Sequence, residues 1–515
     1  MTKTLTDPVQ QNERIRTIDI LRGFALFGVL VVNFGVGVPA NNTSNNFINV
    51  ADQVIGWFAN FFMTKKFISI FSFLFGLGFA IQLIRAEQRK TSFVPLYFRR
   101  LFVLYLFGVV NFIFTDGDIL QEYAMAGVLL LLLYKLPLKW LPIIAILYVL
   151  IPRVVDYIID GEKHQELQAQ RASKVVVDNS IIENYAGVYE MKNGSMHILT
   201  TKDDTLFGES PTARYYLIPQ SDSVFIRSDR PMVYTFRNGN NGELSFKVEL
   251  PNVAPSEGKR ISTDVQKALA ERNQRRNQGL PIKPKGPQTY NELIKKNKDT
   301  YIEGWKNWSF SKFLLGLDIT LPLFLIGLYI GRQNIFQNVT ANKAFLKKAT
   351  IWCFIFGLLG TAISTGFTAW NYYTTIPRTS YKYLVISFVD LSWMVGLMSL
   401  GLAYVGFLIL LLEKGKWKKR LSFLAPVGQM GLTNYLLQSL AVTLTFNAFA
   451  LNMGDAGPFV CFLLAIPYFL FFIIWSQWWF KNFAFGPAEW LWRSITYLKV
   501  QPIKPTKHKD VNIVK

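Results

Sequence analysis

Long apolar blocks alternate with short polar connections along most of the chain, and one polar stretch interrupts them near the middle. A block of about 20 apolar residues suits a helix that crosses the ~30 Å hydrocarbon core of a bilayer. Ten such spans are predicted, at approximately 18–38, 67–84, 101–115, 119–134, 140–158, 313–331, 349–370, 384–412, 425–451 and 458–480. The predicted class is an all-α polytopic membrane protein of about 10 transmembrane helices. Its two membrane halves occupy 1–158 and 313–515, the second including a tail.

The polar interruption changes period. From "YAGVYEMKNGSMHILTTKDDTLFG" to "RNGNNGELSFKVEL" it shows short alternating runs rich in Tyr, Phe, Val and Ile, punctuated by Asn193-Gly194 and Asn241-Gly242. Alternation with Asn-Gly turns is the signature of hairpins. A small antiparallel β domain is therefore predicted at 183–250, inserted between helices 5 and 6, with a basic linker at 251–312. Residues 258–306 carry twelve Lys/Arg against five Asp/Glu. That segment suits a solvated helical linker, or a contact surface for anionic lipid headgroups or an anionic envelope polymer.

The net charge of +21 would suit a nucleic-acid partner, but the placement of the charges excludes it. With the N-terminus inside, the inner segments hold 26 Lys/Arg and the short outer segments 4. This is the positive-inside distribution. It predicts a multi-pass protein of the bacterial cytoplasmic (inner) membrane with both termini cytoplasmic and the β domain outside. The first apolar run is too long for a cleaved signal and reads as a signal-anchor. Cys353 and Cys461 lie in apolar blocks, so core packing is their expected role, and no Cys/His spacing suits a metal.

Charged groups inside apolar blocks carry the candidate chemistry, because stranding one at a bilayer centre costs roughly 2.5–3.5 kcal/mol. In "RIRTIDILRGFALFGVLVVNF", Asp19, Arg22 and Asn33 fall within an arc of about 60° at ~100° per residue. Asp19 and Arg22 are i,i+3 neighbours, and Asn33 lies ~16 Å further along. One face of this kind lines a site, or it packs a neighbouring helix through Asn33. "TDGDILQEYAMAG" places Asp116, Asp118 and Glu122 at the end of a helical hairpin, where both aspartates also suit N-caps. Asn434 and Gln438 share a stripe of the ninth span. Asp318 and Asp390 each want a cation such as Arg22, Lys65 or Lys66. "FGPAEWLWRSITY" reads as an interfacial helix with Glu489 and Arg493 at i,i+4.

Six stretches together resemble the bacterial YeiB-like membrane family: "RIRTIDILRGFALFGVLVVNF", "KFISIFSFLFGLGFAI", "DGDILQEYAMAG", "PLFLIGLYIGR", "APVGQMGLTNYLLQSL" and "FGPAEWLWRSITY". The β insert, opening at "YAGVYE", resembles a small lipocalin-like accessory domain. The YeiB-like family is similar in turn to membrane acyltransferases such as heparan-α-glucosaminide N-acetyltransferase, which pass an acyl group from a cytoplasmic thioester to a sugar across the membrane. Their Asp-x-x-Arg-Gly start matches Asp19, Arg22 and Gly23. In a related polysaccharide O-acyltransferase family the position of Asn33 is a catalytic His.

The resemblance implies an acyltransferase-like protein acting on a cell-envelope glycan or lipid-linked substrate. No resident cofactor is implied, and acyl-coenzyme A is the donor. Asp19, Arg22, Asn434 and Gln438 would bind substrate. YeiB-like relatives commonly place a His before Gly-Asp-Ile-Leu, whereas "FGVVNFIFTDGDIL" has none. His164, His197 and His508 all lie outside the predicted spans. The general base then falls to Asp116, Asp118 or Glu122, with Asn33 as the oxyanion donor. The alternative is a transporter or flippase whose polar stripe is a translocation path.

Overall fold

The computed structural model describes residues 15–36, 50–90, 92–115, 117–155, 175–191, 196–209, 214–227, 232–238, 243–250, 253–277, 289–336, 338–373, 380–447, 449–454 and 456–504. Asp116, His164, His508 and the two Asn-Gly turns lie outside them. The chain is mostly helical, with a β-barrel between its two helical parts.

The first part comprises α1 (Arg16–Asn33), α2 (Val50–Phe62), α3 (Lys66–Gln88), α4 (Phe93–Thr115), α5 (Leu120–Leu133) and α6 (Trp140–Val155). The second comprises α10 (Phe310–Gly316), α11 (Thr320–Arg332), α12 (Lys343–Tyr373), α13 (Ser380–Glu413), α14 (Gly415–Arg420), α15 (Leu424–Gln429), α16 (Gly431–Phe446), α17 (Pro458–Asn482) and α18 (Pro487–Tyr497). Among the described residues, five stretches are long and apolar enough to cross a membrane: Val50–Gln88, Phe93–Thr115, Lys343–Phe367, Ser387–Glu413 and Pro458–Asn482. Leu120–Leu133, Trp140–Val155 and Thr320–Arg332 are shorter apolar helices. Helix α2 was not expected, because its polar Asp52, Gln53 and Asn60 dilute the apolar run.

The outer faces of these helices are apolar. On α4, Phe98, Phe102, Leu106, Val110 and Phe114 are exposed at every fourth position, and α17 exposes Leu463, Ile466, Leu470 and Ile474. Water would not tolerate stripes of this extent, and lipid does. Between helices the contacts are close. A Cβ on Gly76 of α3 would sit 2.1 Å from the Phe324 carbonyl oxygen of α11, and one on Gly327 would sit 2.2 Å from that of Phe73. Glycine at both positions lets the two backbones touch, as bundles in lipid require.

The insert is a closed, eight-stranded antiparallel barrel in sequential order, the up-and-down topology of lipocalin-like domains. Its strands are β1 (Gly187–Met191), β2 (Met196–Lys202), β3 (Thr205–Glu209), β4 (Arg214–Pro219), β5 (Val224–Arg227), β6 (Val233–Asn238), β7 (Leu244–Leu250) and β8 (Val253–Ser262). The barrel thus runs past the expected limit of 250, and β8 closes it against β1. Tyr189, Tyr234, Phe225 and Phe246 fill the interior. Tyr185, just after α7 (Asn179–Asn184), stacks on Phe236 at 4.0 Å and joins the same core.

Beyond β8, the segment expected to be a linker holds two helices, α8 (Val265–Asn277) and α9 (Tyr290–Lys306). Arg272 of α8 pairs with Glu209 of β3 at 3.4 Å. Helix α9 lies against the end of α4 and satisfies three of its last carbonyls. Asn297 Nδ2 donates to Phe112 and Ile113, and Tyr290 Oη donates to Phe114. These carbonyls have no partner within α4 itself.

Because the barrel has its own closed core, replacing Gly187–Ser262 by a flexible linker while retaining α9 is expected to leave a monodisperse, cooperatively unfolding bundle in detergent. Aggregation of that variant on size exclusion would show instead that the bundle needs the barrel.

Candidate functional site

Helix α1 enters the bundle with its backbone pressed against α15. A Cβ on Gly428 would lie 1.9 Å from the Asp19 carbonyl oxygen, and one on Gly23 would lie 2.2 Å from that of Leu424. Any side chain at either position would drive the two elements apart. With that face of α1 fixed, Asp19 is buried and pairs with Arg22 at 3.7 Å. The guanidinium of Arg22 lies beside Gly78 of α3, 3.5 Å from where a Cβ would stand.

Asp19 and Arg22 line a cavity of about 670 Å³, within the range of small-molecule sites. Ile15, Ile18, Val29 and Asn33 of α1 line it too, so it follows α1 over ~27 Å at ~1.5 Å per residue. At the end nearest the start of α1, Arg85 of α3 and Arg89 just after it join Arg22, with Arg100 of α4 and Arg493 of α18. The Arg100 guanidinium lies 4.4 Å over the Trp492 ring, and its carbonyl accepts the Trp492 indole N–H at 2.9 Å. The middle of the cavity is walled by Phe71, Phe75, Leu104, Leu120 and Tyr123.

At the other end the wall turns polar again, with Asn33, Thr115, Asp118 and Ser439. Gly117 has φ +143°, a conformation that other residues rarely adopt, and it sets the turn that presents Asp118. The Asp118 carboxylate accepts from the backbone N–H of Gln121 at 2.8 Å and from Asn111 Nδ2 at 3.3 Å. Asn111 also reaches the Gly117 carbonyl and Ser439, so one buried amide ties α4, the turn and α16 together. Burial pushes the Asp118 carboxyl above the ordinary aspartate range, and these hydrogen bonds only partly oppose the shift.

The predicted residues divide cleanly by position. Asp19, Arg22, Asn33 and Asp118 line the one cavity. Glu122 points the other way and accepts from Thr320 of α11. Asn434 and Gln438 are fully buried within the helix packing and do not line the cavity. Asn434 Nδ2 donates to the Val427 carbonyl and to Ser476, and Gln438 Nε2 donates to the Leu26 carbonyl at 3.3 Å. Their geometry is that of interhelical ties, not of substrate contacts. Asp118 is accordingly the one described member of the predicted acidic trio that faces the cavity. Asp318 finds its cation in Arg153 of α6, at 2.9 Å, and not in Arg22, Lys65 or Lys66.

Residues that sequence reasoning passed over complete the wall or support it from behind. Arg85, Arg89 and Arg100 were counted only as inner-loop charge, and Asn111 was a lone polar residue in an apolar run. Glu489 was read as the surface partner of Arg493. Its carboxylate instead turns inward and accepts from the backbone N–H groups of Leu432 and Thr433 at 2.7 and 3.1 Å, and from the Thr433 hydroxyl at 2.6 Å. Those are orphan donors of the first turn of α16, so Glu489 caps that helix from a neighbouring one. Burial raises its carboxyl, and these donors pull it back down.

Apolar helices, barrel insert and an arginine-lined, partly open cavity together suggest a membrane protein with a ligand-sized site. The family described as "Protein of unknown function (DUF418)" matches residues 330–499. The chain is 27% identical to the uncharacterized protein YxaH of Bacillus subtilis (strain 168), over 97% of this chain and 98% of that one. An uncharacterized 39.9 kDa protein of Bacillus acidopullulyticus is 23% identical, over 98% of this chain and all of the other. The uncharacterized protein YeiB of Escherichia coli (strain K12) is 42% identical over 80 residues, 15% of this chain and 20% of that one. These similarities are consistent with the YeiB-like resemblance of the sequence. No solved structure gives a significant match.

Glu489→Ala would strand the Leu432 and Thr433 N–H groups in a dry interior. The expected cost is roughly 2–4 kcal/mol, read as a lowered thermal unfolding midpoint. An unchanged midpoint would mean that water reaches this turn.

Proposed function

We propose that the protein is an acyltransferase of the bacterial cytoplasmic membrane that moves an acyl group from a cytoplasmic coenzyme A thioester to a cell-envelope glycan or lipid-linked acceptor. In this reading ten helices cross the bilayer, both termini are cytoplasmic, and the barrel stands outside. The observation that carries it is a continuous cavity, which joins an arginine-rich end to Asn33 and Asp118 over ~27 Å of α1. That length approaches the ~30 Å of the hydrocarbon core.

The dimensions suit such a donor. Arg22 with Arg85 and Arg89 would hold its phosphates, since guanidinium groups bind phosphate oxygens in pairs. From phosphorus to sulfur the pantetheine arm has about thirteen bonds, and at about 1.2 Å of extended reach per bond it spans about 16 Å. Arg22 and Asn33 are separated by a similar ~16 Å along α1. The thioester carbonyl would then lie at the Asn33 end. There Asp118 takes the proton of the acceptor hydroxyl as its oxygen attacks the carbonyl carbon. Asn33 donates to the oxyanion, the carbon–sulfur bond breaks, and the thiolate leaves to be protonated. A carboxyl pushed upward by burial is a better base near neutral pH than an ordinary aspartate. Asn111 keeps it aimed.

Asn33→Ala and Asp118→Asn are each expected to slow turnover by ~10²–10³-fold with folding intact, read as loss of acylated envelope glycan by mass spectrometry. The base must be ionised, so the rate should rise with pH through the Asp118 transition. That acid limb should lie above the ~4 of an ordinary aspartate, and Asp118→Asn should abolish it. Lipid movement between leaflets, with no acylated product in any preparation, would establish the flippase reading instead. For orientation, a thiol introduced at Lys202 should react only from outside the cell and one at Lys416 only from inside. The opposite labelling would overturn the direction of transfer.

A further inference from the structure

Two loops that are unremarkable in the sequence become one surface in the fold. Helices α12 and α13 form a hairpin, and Lys343 at the start of α12 pairs with Glu413 at the end of α13 at 3.1 Å. That pairing brings Lys347 and Lys348 to the side of the following segment, where Lys414, Lys416, Lys418, Lys419 and Arg420 stand. All of these cations are exposed, and no residue of α14 is buried. Glu413 is the one acidic residue within 338–348 and 413–423, and Lys343 neutralises it. Three aromatic side chains are exposed among the cations: Phe345, Trp417 and Phe423, at 51%, 36% and 41%. Arg420 lies 5.2 Å over the Trp417 ring.

The charge bias that orients a helix needs a few cations per loop. A merged patch of eight cations with interleaved aromatics exceeds that need. Its position is equally specific. From α14 the chain passes through one short turn into α15, whose Gly428 touches the backbone of Asp19. The patch therefore borders the same end of the bundle as the arginine mouth of the cavity.

We propose that this patch, made by α14 and the first turns of α12, is a docking surface for anionic phospholipid headgroups of the adjoining leaflet. Lysines and Arg420 meet the phosphates, while Trp417, Phe345 and Phe423 seat in the boundary between headgroups and chains, where amphipathic rings are stable. Neutral lipids offer the aromatics the same boundary but leave the cations without partners, so the surface selects by charge. The inference depends on the chain lying in a bilayer and not on acyl transfer.

The test uses the full chain, delipidated in neutral detergent and titrated with phosphatidylglycerol or phosphatidylcholine, with bound lipid counted by native mass spectrometry. Phosphatidylglycerol should bind at least ~10-fold more tightly, and added salt should erode the difference. K416Q/K418Q/K419Q/R420Q should weaken phosphatidylglycerol binding by about 100-fold or more, given a several-fold loss per cation near a charged surface. These side chains are exposed, so the bundle should keep its unfolding midpoint. Equal binding of the two lipids by the unaltered chain, or unweakened phosphatidylglycerol binding by the quadruple variant, would overturn the proposal. Should the variant not fold, the salt dependence of the unaltered chain decides alone: salt-insensitive binding refutes it.

Discussion

Everything around the cavity depends on the backbone-to-backbone contact between α1 and α15. Gly23 and Gly428 bring the two elements to the closest approach available to polypeptide, with no side chain between them. The consequence is angular as well as radial. Once that side of α1 is committed to α15, Arg22 and Asn33 face the cavity together, ~16 Å apart along the helix. Apolar packing alone would leave α1 free to rotate in lipid, because lipid is as apolar as the helix partners. Two missing side chains remove that freedom.

Polar side chains then do for this bundle what water does for a soluble one. Glu489 caps α16 from α18, Asn297 and Tyr290 cap α4 from α9, and Asn111 holds the Asp118 turn. Each satisfies backbone or carboxylate groups that lack a partner within their own element. They also join parts distant in sequence. The capping of α4 by α9 means that the segment leaving the barrel fixes the helix end from which Asp118 is hung. Insert and site are mechanically connected, although the barrel itself is a closed unit.

What the sequence made legible follows from periodicity, and what it concealed follows from partners. The 3.6-residue repeat put Asp19, Arg22 and Asn33 on one face, and they share one cavity wall. Alternation revealed an antiparallel β domain but missed β8, which closes it into a barrel, because "VAPSEGKRIS" contains a proline and several polar residues and does not alternate. A helical stripe says only that Asn434 and Gln438 point the same way, and a stripe facing a neighbouring helix looks identical to one facing a cavity. Glu489 and Arg493 are neighbours by helical spacing, yet the free N–H groups of α16 are better partners for a buried carboxylate. Asp318 and Arg153 are far apart along the chain, and only the packing of α6 beside the start of α11 introduces them. Local rules see the element itself. They do not see the element beside it.

The claim that the cavity is the working site, with phosphate at one end and the reacting carbonyl at the other, is tested most directly by determining the structure of the protein in lipid with a non-hydrolysable acyl-coenzyme A analogue. The account expects phosphate density against Arg22, Arg85 and Arg89, with the thioether end reaching Asn33 and Asp118. An analogue bound elsewhere, or a structure at saturating analogue in which the cavity holds no analogue and Asn33 faces lipid, would contradict it.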